Sequence, residues 1–378
     1  MASVPSIEQK SHLAGTIARA LAVFCVDEII IFRDDDDEGE QDSTLDHGEG
    51  SSNGLTALSH PSHYLAHLLS YLETPPHLRK RIFPMHPNLR TAGLLPSLDM
   101  PHHLRQNEWC DYREGVVVKS NDGSILVDTG LPRPVTLSLN NPGLLPEEGS
   151  RISVLFSARD STNAELVERS APREEAGYYW GYSVRRCSSL SSVFTECPFD
   201  GGYDLSFGTS ERGVPLSDIL DGQANDGPNP LPKYEHLLLV FGGVAGLEAA
   251  VRNDSQLRDM SIRPADTEQL FDYWVNLLPG QGSRTIRTEE AVWIGLTSLT
   301  TLVDKSQVDK SRQSAGINGG QLQDRASQRH IEDRVDQSPV QEVPVQEHPM
   351  SNGNMPEPVE KKKNKKKKKS KKEKRSLS

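Results

Sequence analysis

The sequence contains few cysteines and none of the spacings by which cysteine usually builds a site. Cys25, Cys110, Cys187 and Cys197 form no C-x-x-C pair, so neither a zinc ribbon nor a disulfide framework is expected. No run of about eighteen apolar residues is present to span a bilayer, and no secretory signal pattern opens the chain. These absences favour a reduced intracellular compartment and predict neither a bound metal nor a membrane partner.

Two common phosphate-binding patterns are also missing. The chain has two glycine loops, but neither is followed by the lysine that a Walker loop requires. Neither loop matches the dinucleotide pattern G-x-G-x-x-G. Phosphate binding therefore has weak support. Close approach of backbone to a flat, mostly uncharged group such as adenosine remains open.

The average composition hides a strong charge asymmetry. Hydrophobic residues are 35% of 378 and the mean hydropathy is −0.56, which predicts a disordered part beside two or three folded domains. Residues 361–375 hold twelve basic residues and one acidic residue, a local charge of +11, and the rest of the chain carries −22. Nucleic-acid contact by the acidic body must therefore be local. The lysine block predicts a nuclear or nucleolar address, a nucleic-acid tether or a solubilising tail.

The two glycine loops organise the chain. Residues 236–241 form an unbroken apolar run that continues into Gly242 and Gly243, as expected of a buried strand that ends at a ligand. Residues 271–275 are aromatic and β-branched, and the breakers Pro279, Gly280 and Gly282 follow them. A helix is predicted from Thr288 to about residue 303. Two such units close together predict a ligand at the carboxyl edge of a parallel sheet, although glycines that only make turns would give the same pattern.

These loops, with the segments 71–105, 177–186 and 208–213, resemble the SPOUT class of S-adenosylmethionine-dependent RNA methyltransferases. The resemblance is closest to the eukaryotic and archaeal subfamily with an inserted OB-like domain. It implies an α/β fold with a trefoil knot, S-adenosylmethionine as cofactor, RNA as substrate and a homodimer formed through the knot. It implies the following cofactor-binding residues: Arg212, Gly242, Gly243, Asn276, Leu277, Gly280 and Gly282. It identifies no general base, so the catalytic residue stays unknown.

An insertion interrupts the predicted α/β domain. Residues 115–127 alternate in a manner typical of a hairpin around Asn121-Asp122-Gly123, and residues 134–139 and 151–156 add strands. A small antiparallel barrel is the natural interpretation, and the resemblance makes it OB-like. The predicted organisation is a first methyltransferase part at 11–106, the OB-like insertion at 107–176, a second part with knot and cofactor loops at 177–303, and a disordered tail at 304–378.

Basic side chains suggest where RNA is contacted. Arg79, Lys80 and Arg81 form a patch after a predicted helix at 64–73, and Arg185 and Arg186 end a predicted strand at 177–186. An ordinary solvated surface is the alternative for these residues. The first segments are predicted as a helix at 12–24 and a strand at 28–32. The acidic stretch from residue 34 to about residue 53 is predicted as a disordered loop, not as a metal site.

The sequence as a whole predicts an enzyme that methylates RNA, ribosomal or other structured nuclear RNA, at a base nitrogen or ribose oxygen. The alternative is a non-enzymatic RNA-binding or assembly protein of nuclear or mitotic complexes that keeps the fold. Intact glycine loops favour the enzyme, because a site without a ligand has no need for close backbone approach.

Overall fold

The structure is a computed structural model that describes residues 4–34, 56, 59–121, 123–138, 145–157, 164–224 and 231–315. Most of the predicted acidic loop and the whole lysine block lie outside these residues. None of the described helices is long and apolar enough to cross a membrane. The described chain is a mixed α/β structure with two parallel sheets and one antiparallel sheet.

The first elements confirm the predicted order of helix and strand. The first helix begins earlier than predicted because Ser6 caps it, its Oγ accepting the Gln9 N–H at 3.2 Å. The first strand has the predicted bounds, and the second helix carries a proline in its first turn. These elements are α1 (Ile7–Val23), β1 (Glu28–Phe32), α2 (Pro61–Glu73), α3 (Pro76–Ile82) and a 3₁₀ helix (Pro87–Leu94).

The strand predicted over residues 177–186 is wrong in its first part. Only β7 (Ser183–Cys187) is extended, and it pairs in parallel with β1. Gly177 and Gly181 have φ values of 69° and 87°, which a strand does not allow. A Cβ at Gly181 would lie 2.4 Å from Glu73 Oε1, so the chain needs glycine where it passes this carboxylate.

The second parallel sheet carries both glycine loops. Its strand order is β10–β8–β9, with all three strands parallel. The predicted strands at 236–241 and 271–275 are both confirmed, each within a few residues. The elements after β7 are α5 (Leu190–Thr195), β8 (Leu205–Pro215), α6 (Leu216–Ala224), β9 (Leu237–Val240), α7 (Leu247–Asn253), α8 (Ser255–Asp259), a 3₁₀ helix (Pro264–Leu270) and β10 (Tyr273–Asn276).

The inserted segment forms the antiparallel sheet, in the order β4–β3–β2–β5–β6. The predicted hairpin is confirmed, since β2 and β3 pair antiparallel from Asn121 and Ser124 outward. The edge strands β4 and β6 contact each other, which nearly closes the sheet around an apolar core. The elements are β2 (Tyr112–Asn121), β3 (Ser124–Asp128), β4 (Val135–Ser138), β5 (Arg151–Phe156), β6 (Ala164–Val167) and a short helix α4 (Ala171–Glu174).

A buried ionic network joins this sheet to the α/β part. Glu73, at the end of α2 and only 4% exposed, accepts hydrogen bonds from Arg151 on β5 at 2.6 and 3.1 Å. Arg169 and His102 Nε2 each lie 3.1 Å from the same carboxylate. Arg151 also donates to Glu114 on β2 at 2.6 Å. The inserted sheet is therefore fixed to α2 by paired buried charges.

This network controls the protonation of Glu73. Burial alone favours the neutral acid and is the largest single effect on its pKa. The Arg151 charge and hydrogen bonds from His102 and Arg151 together outweigh burial, and they hold the pKa of Glu73 far below its usual range. Glu73 is therefore a carboxylate throughout the physiological range.

The tail predicted as disordered from residue 304 is partly wrong. Helix α9 (Thr288–Ala315) begins at the predicted N-cap but continues twelve residues beyond residue 303. The extension lacks an apolar period, yet lysine, glutamine and arginine are good helix formers without one. Hydrophobic periodicity therefore underestimated this helix.

Candidate functional site

The three strands of the β10–β8–β9 sheet end at the same edge, and the loops that follow them meet there. Thr209, just after the first part of β8, donates from Oγ1 to Val240 O at the end of β9, at 2.9 Å. Asn276, at the end of β10, donates from Nδ2 to Glu211 O at 2.8 Å. Thr288, at the start of α9, reaches Gly242 O at 3.5 Å. The loops are thus bonded to one another.

Strand β8 makes this convergence possible by an unusual register. Its pairing with β10 shifts so that Gly208 lies opposite Trp274, whereas Val214 lies opposite Val275. Residues 209–213 therefore bulge out of the ladder. A Cβ at Gly213 would lie 2.4 Å from the Val275 carbonyl carbon, so glycine is needed where the bulge returns across β10. The bulge carries Arg212 to the sheet edge.

The Gly-Gly loop is a closed turn between β9 and α7. The Gly246 N–H donates to Gly243 O at 3.0 Å, and Gly246 has a φ of 77°. A Cβ at Gly242 would lie 2.8 Å from both Gly246 C and Leu247 N. Gly242 is therefore required by the backbone of the turn itself. Sequence reasoning singled out Gly242 and Gly243 but missed the part played by Gly246.

Arg212 lies at the rim of this edge and forms an ion pair with Glu248 in the first turn of α7. The Arg212 side chain is 70% exposed and that of Glu248 is 18% exposed. An ion pair so close to solvent contributes little to stability, so Arg212 is free to exchange Glu248 for a ligand at little cost. No sequence pattern predicts this pair, because its members are 36 residues apart.

The β10 loop contains the other predicted residues. Asn276 also accepts the Leu278 N–H on its Oδ1 at 3.1 Å, which shapes the start of the loop. Leu277 packs against α9, where its Cδ1 lies 3.1 Å from the position of a Cβ at Gly295. Gly280 has a φ of 72°, and at both Gly280 and Gly282 no described atom lies within 4 Å of an ideal Cβ. The loop is therefore shaped by glycine and open on one side.

Sequence reasoning missed Asp34, which follows β1. Its backbone oxygen accepts a hydrogen bond from Asn253 Nδ2 at 2.7 Å. Its carboxylate Oδ2 lies 2.9 Å from the position of a Cβ at Gly243. A carboxylate thus lies against the Gly-Gly loop. The acidic run that begins at Asp34 had indicated only a solvated loop.

This edge fits a cofactor that combines a nucleoside with an amino acid. Val244 and Leu278 are 85% and 42% exposed and offer apolar surface on either loop. Arg212 and Glu248 supply opposite charges for an amino acid moiety. The glycines keep backbone groups accessible for the edge of a base. The predicted cofactor residues therefore lie together at one edge, and their contact with a cofactor stays a prediction.

The basic residues predicted to contact RNA are not equivalent in the structure. Arg79 caps α2, donating to Thr74 O at 2.8 Å and Leu72 O at 2.9 Å, with its guanidinium over the Tyr71 ring. Arg185 is paired with Glu28 at 2.8 Å and is 19% exposed. Both side chains hold the fold together, and their contact with RNA is still untested.

The remaining basic residues are closer to solvent. Arg81 lies 3.4 Å from Asp128 of the inserted sheet and is half exposed, and Lys80 beside it is exposed. Arg186 lies 3.1 Å from His63 Nδ1. Lys80 and Arg81 are the members of the predicted set best placed to reach a phosphate.

Comparison with known proteins places the chain in a family. A family model described as "Putative RNA methyltransferase" matches residues 1–299. Proteins named "28S rRNA (uridine-N(3))-methyltransferase" are similar to the chain. The human protein is 44% identical over 78% of this chain and 73% of its own length, and the mouse protein is 44% identical over 78% and 72%. The Drosophila protein is 40% identical over 78% of this chain and 58% of its own length. The chain therefore belongs to this family of RNA methyltransferases.

Proposed function

We propose that this enzyme transfers a methyl group from S-adenosylmethionine to N3 of a uridine in the RNA of the large ribosomal subunit. One observation carries the proposal: identity of 40–44% over 78% of the chain with proteins named for that reaction. Membership of an RNA methyltransferase family also favours an enzyme over a non-enzymatic assembly protein. The resemblance of the glycine loops to the SPOUT class supports S-adenosylmethionine as the methyl donor.

The proposed cofactor site is the edge of the β10–β8–β9 sheet. The closed turn at Gly242 and Gly243 and the end of β10 at Asn276 and Leu277 would hold the nucleoside between backbone groups. Arg212, held by a weak exposed pair, would exchange Glu248 for the cofactor carboxylate. Gly280 and Gly282 would leave room along the β10 loop. S-adenosylmethionine supplies an electrophilic sulfonium methyl group when it is bound there.

Asp34 is the proposed proton acceptor. Uridine N3 carries a hydrogen, so its methylation forms an N–C bond, breaks the bond between the methyl carbon and sulfur, and releases the N3 proton. The Asp34 carboxylate lies against the Gly-Gly loop, with Oδ2 2.9 Å from a Cβ placed on Gly243. It would accept the N3 proton and pass it to water. The protein's main contribution would be to hold the uridine in line with the methyl group.

The rest of the chain fits an enzyme that acts on a large folded RNA. The inserted sheet is nearly closed, and an OB-like identity would give it a role in holding single-stranded RNA beside the site. A homodimer formed through a SPOUT knot would carry two such inserted sheets. The lysine block, with its charge of +11, would direct the protein to the nucleus, where ribosomal RNA is made, and tether it to RNA.

The reaction is tested by mass spectrometry of nucleosides from purified ribosomal RNA. Cells that lack the protein should lose N3-methyluridine from one position, and the wild-type chain should restore it. In vitro, an RNA fragment with that uridine should accept labelled methyl groups, and the same fragment with cytidine there should not. Unchanged N3-methyluridine in cells without the protein would exclude this function.

The role of Asp34 is tested by two variants that act differently. Asp34→Asn keeps the size of the side chain and removes its ability to accept a proton, so kcat should fall by about 10²–10⁴-fold. Affinity for S-adenosylhomocysteine should stay within about twofold. Gly243→Ala places a methyl group 2.9 Å from Oδ2 and should displace the carboxylate, lowering kcat in the same direction. An Asp34→Asn enzyme with wild-type kcat would remove Asp34 from the mechanism.

A further inference from the structure

Three histidines from two segments meet beside α2. His63 and His67 are four residues apart on this helix and so lie on one face of it. His86 stands immediately before the 3₁₀ helix (Pro87–Leu94) and packs edge-on against the His67 ring. One ring nitrogen of each histidine lies within 4.8 Å of those of the other two. The cysteine spacings gave no hint of this group, since its third member comes nineteen residues after the second.

We propose that His63, His67 and His86 bind one zinc ion, with water as the fourth ligand. Zinc binds imidazole nitrogen at about 2.0–2.1 Å in a tetrahedron, so the ring centroids of two ligands lie roughly 5 Å apart. The centroid distances here are 4.8 Å for His67–His86, 5.8 Å for His63–His67 and 6.3 Å for His63–His86. Closing the site therefore needs movements of about 1 Å, mainly at His63.

A histidine binds a metal through a neutral imidazole nitrogen, and burial favours the neutral form of His67. Burial, and after it the charges of His86 and His63, lower the pKa of His67 to about 4. Phe83 stacks on the His67 ring with the ring centroids 5.6 Å apart, and His86 is only 7% exposed. Three imidazole nitrogens beside an aromatic ring suit a borderline-soft cation better than calcium or magnesium, which prefer oxygen.

Two contacts change when the ion binds. The Asn88 N–H donates to His86 Nδ1 at 3.1 Å, and this bond is lost if zinc binds Nε2 and the ring proton moves to Nδ1. One such hydrogen bond is small beside the free energy of zinc binding. Arg186 acts against the ion, because its guanidinium lies 3.1 Å from His63 Nδ1. A neutral side chain at position 186 should therefore tighten the site.

The experiment measures metal binding by the full chain, independently of methyl transfer. After treatment with chelator, the wild type should bind one Zn²⁺ with a Kd below about 1 µM in calorimetry, and Co²⁺ should give a tetrahedral absorption spectrum. His67→Asn and His86→Asn should each weaken Zn²⁺ binding by at least about tenfold. His12→Asn, which changes an exposed histidine of α1, is the matched control and should bind as the wild type does. Arg186→Gln should bind more tightly.

Thermal unfolding keeps the result interpretable if a variant is weakened. Zinc at about 100 times its Kd should raise the Tm of the wild type by about 5 °C, and should raise that of His67→Asn much less. Far-UV circular dichroism establishes that each variant is folded. The absence of tight Zn²⁺ binding in the wild type would overturn the proposal. Equal binding by folded His67→Asn and wild-type proteins would overturn it as well.

Discussion

The Gly-Gly loop provides the most direct test of the cofactor site, through the substitution Gly242→Ala. An added Cβ would lie 2.8 Å from Gly246 C and Leu247 N, where ordinary contact begins near 3.4 Å. The atoms it meets belong to the backbone, so no side chain can turn away to relieve the contact. The turn must therefore open by roughly 0.6 Å, the difference between these two distances.

That movement sets the size of the effect. A displacement of about 1 Å in a binding or catalytic group can cost about a hundredfold, so a movement of about 0.6 Å should cost between ten- and a hundredfold. This corresponds to about 1.4–2.7 kcal/mol of binding free energy. The rest of the fold should persist, since the turn lies at the sheet edge and the core strands on either side keep their partners.

Calorimetry with S-adenosylhomocysteine measures the loss. Gly93→Ala is the control, because Gly93 lies in a 3₁₀ helix and no described atom is within 4 Å of its added Cβ. The control should bind as tightly as the wild type, whereas Gly242→Ala should bind at least tenfold more weakly. A folded Gly242→Ala protein with wild-type affinity would show that the cofactor does not depend on this turn.

Three further predictions concern the parts around the site. Glu73→Gln removes one of the two carboxylates that pair with the buried Arg151, the other being Glu114, and should lower the free energy of unfolding by about 3 kcal/mol in denaturant titrations. Unchanged stability would contradict the structural role of the network. The pKa of Glu73 is lower in the folded protein than in the unfolded chain. Its contribution to the free energy of unfolding is therefore fully present above the unfolded pKa of about 4.3 and is lost as the pH falls below that value. The difference in stability between Glu73→Gln and the wild type should accordingly shrink in acid. Deletion of residues 361–378 should leave affinity for S-adenosylhomocysteine unchanged. It should reduce nuclear accumulation and the salt dependence of RNA binding. If neither nuclear accumulation nor the salt dependence changes, the lysine block is not a nuclear address or an RNA tether. Replacement of residues 107–176 by a Gly/Ser linker should leave cofactor binding intact and impair methylation of the natural RNA, and full activity would exclude the insertion from recognition.

Much of the fold was predictable because local sequence patterns indicate its strands. Residues 236–241 are apolar without interruption and end in glycine, and β9 lies within them. The hairpin around Asn121-Asp122-Gly123 follows from turn residues between alternating strands, and β2 and β3 pair there. The strand prediction was wrong for residues 177–182. Their aromatic side chains favour a strand, but Gly177 has a positive φ just after helix α4, where its N–H donates to Arg173 O, and Gly181 has one where it passes Glu73.

The position of both glycine loops at one sheet edge was predictable, whereas the contacts that surround them were not. Two glycine loops, each after a strand of a parallel sheet, predict that the loops meet at the carboxyl edge of that sheet. The ion pair of Arg212 with Glu248 and the approach of Asp34 to Gly243 depend on how strands far apart in sequence are ordered in the sheet. No periodicity or spacing encodes those contacts. The histidine group was not predicted for the same reason: His86, in the segment before Pro87, meets His63 and His67 of α2 only in the folded chain.

The bonds between the loops have a consequence for how the cofactor binds. Thr209 to Val240, Asn276 to Glu211 and Thr288 to Gly242 each join loops that belong to different strands. These bonds hold in place the backbone that would meet the cofactor, which lowers the entropy that binding must supply to order it. The parts left adjustable are the exposed side chains of Arg212 and Leu278 at the rim. If S-adenosylmethionine binds as proposed, specificity for the nucleoside should therefore reside in this backbone, whereas the methionine end would be met by the exposed side chains.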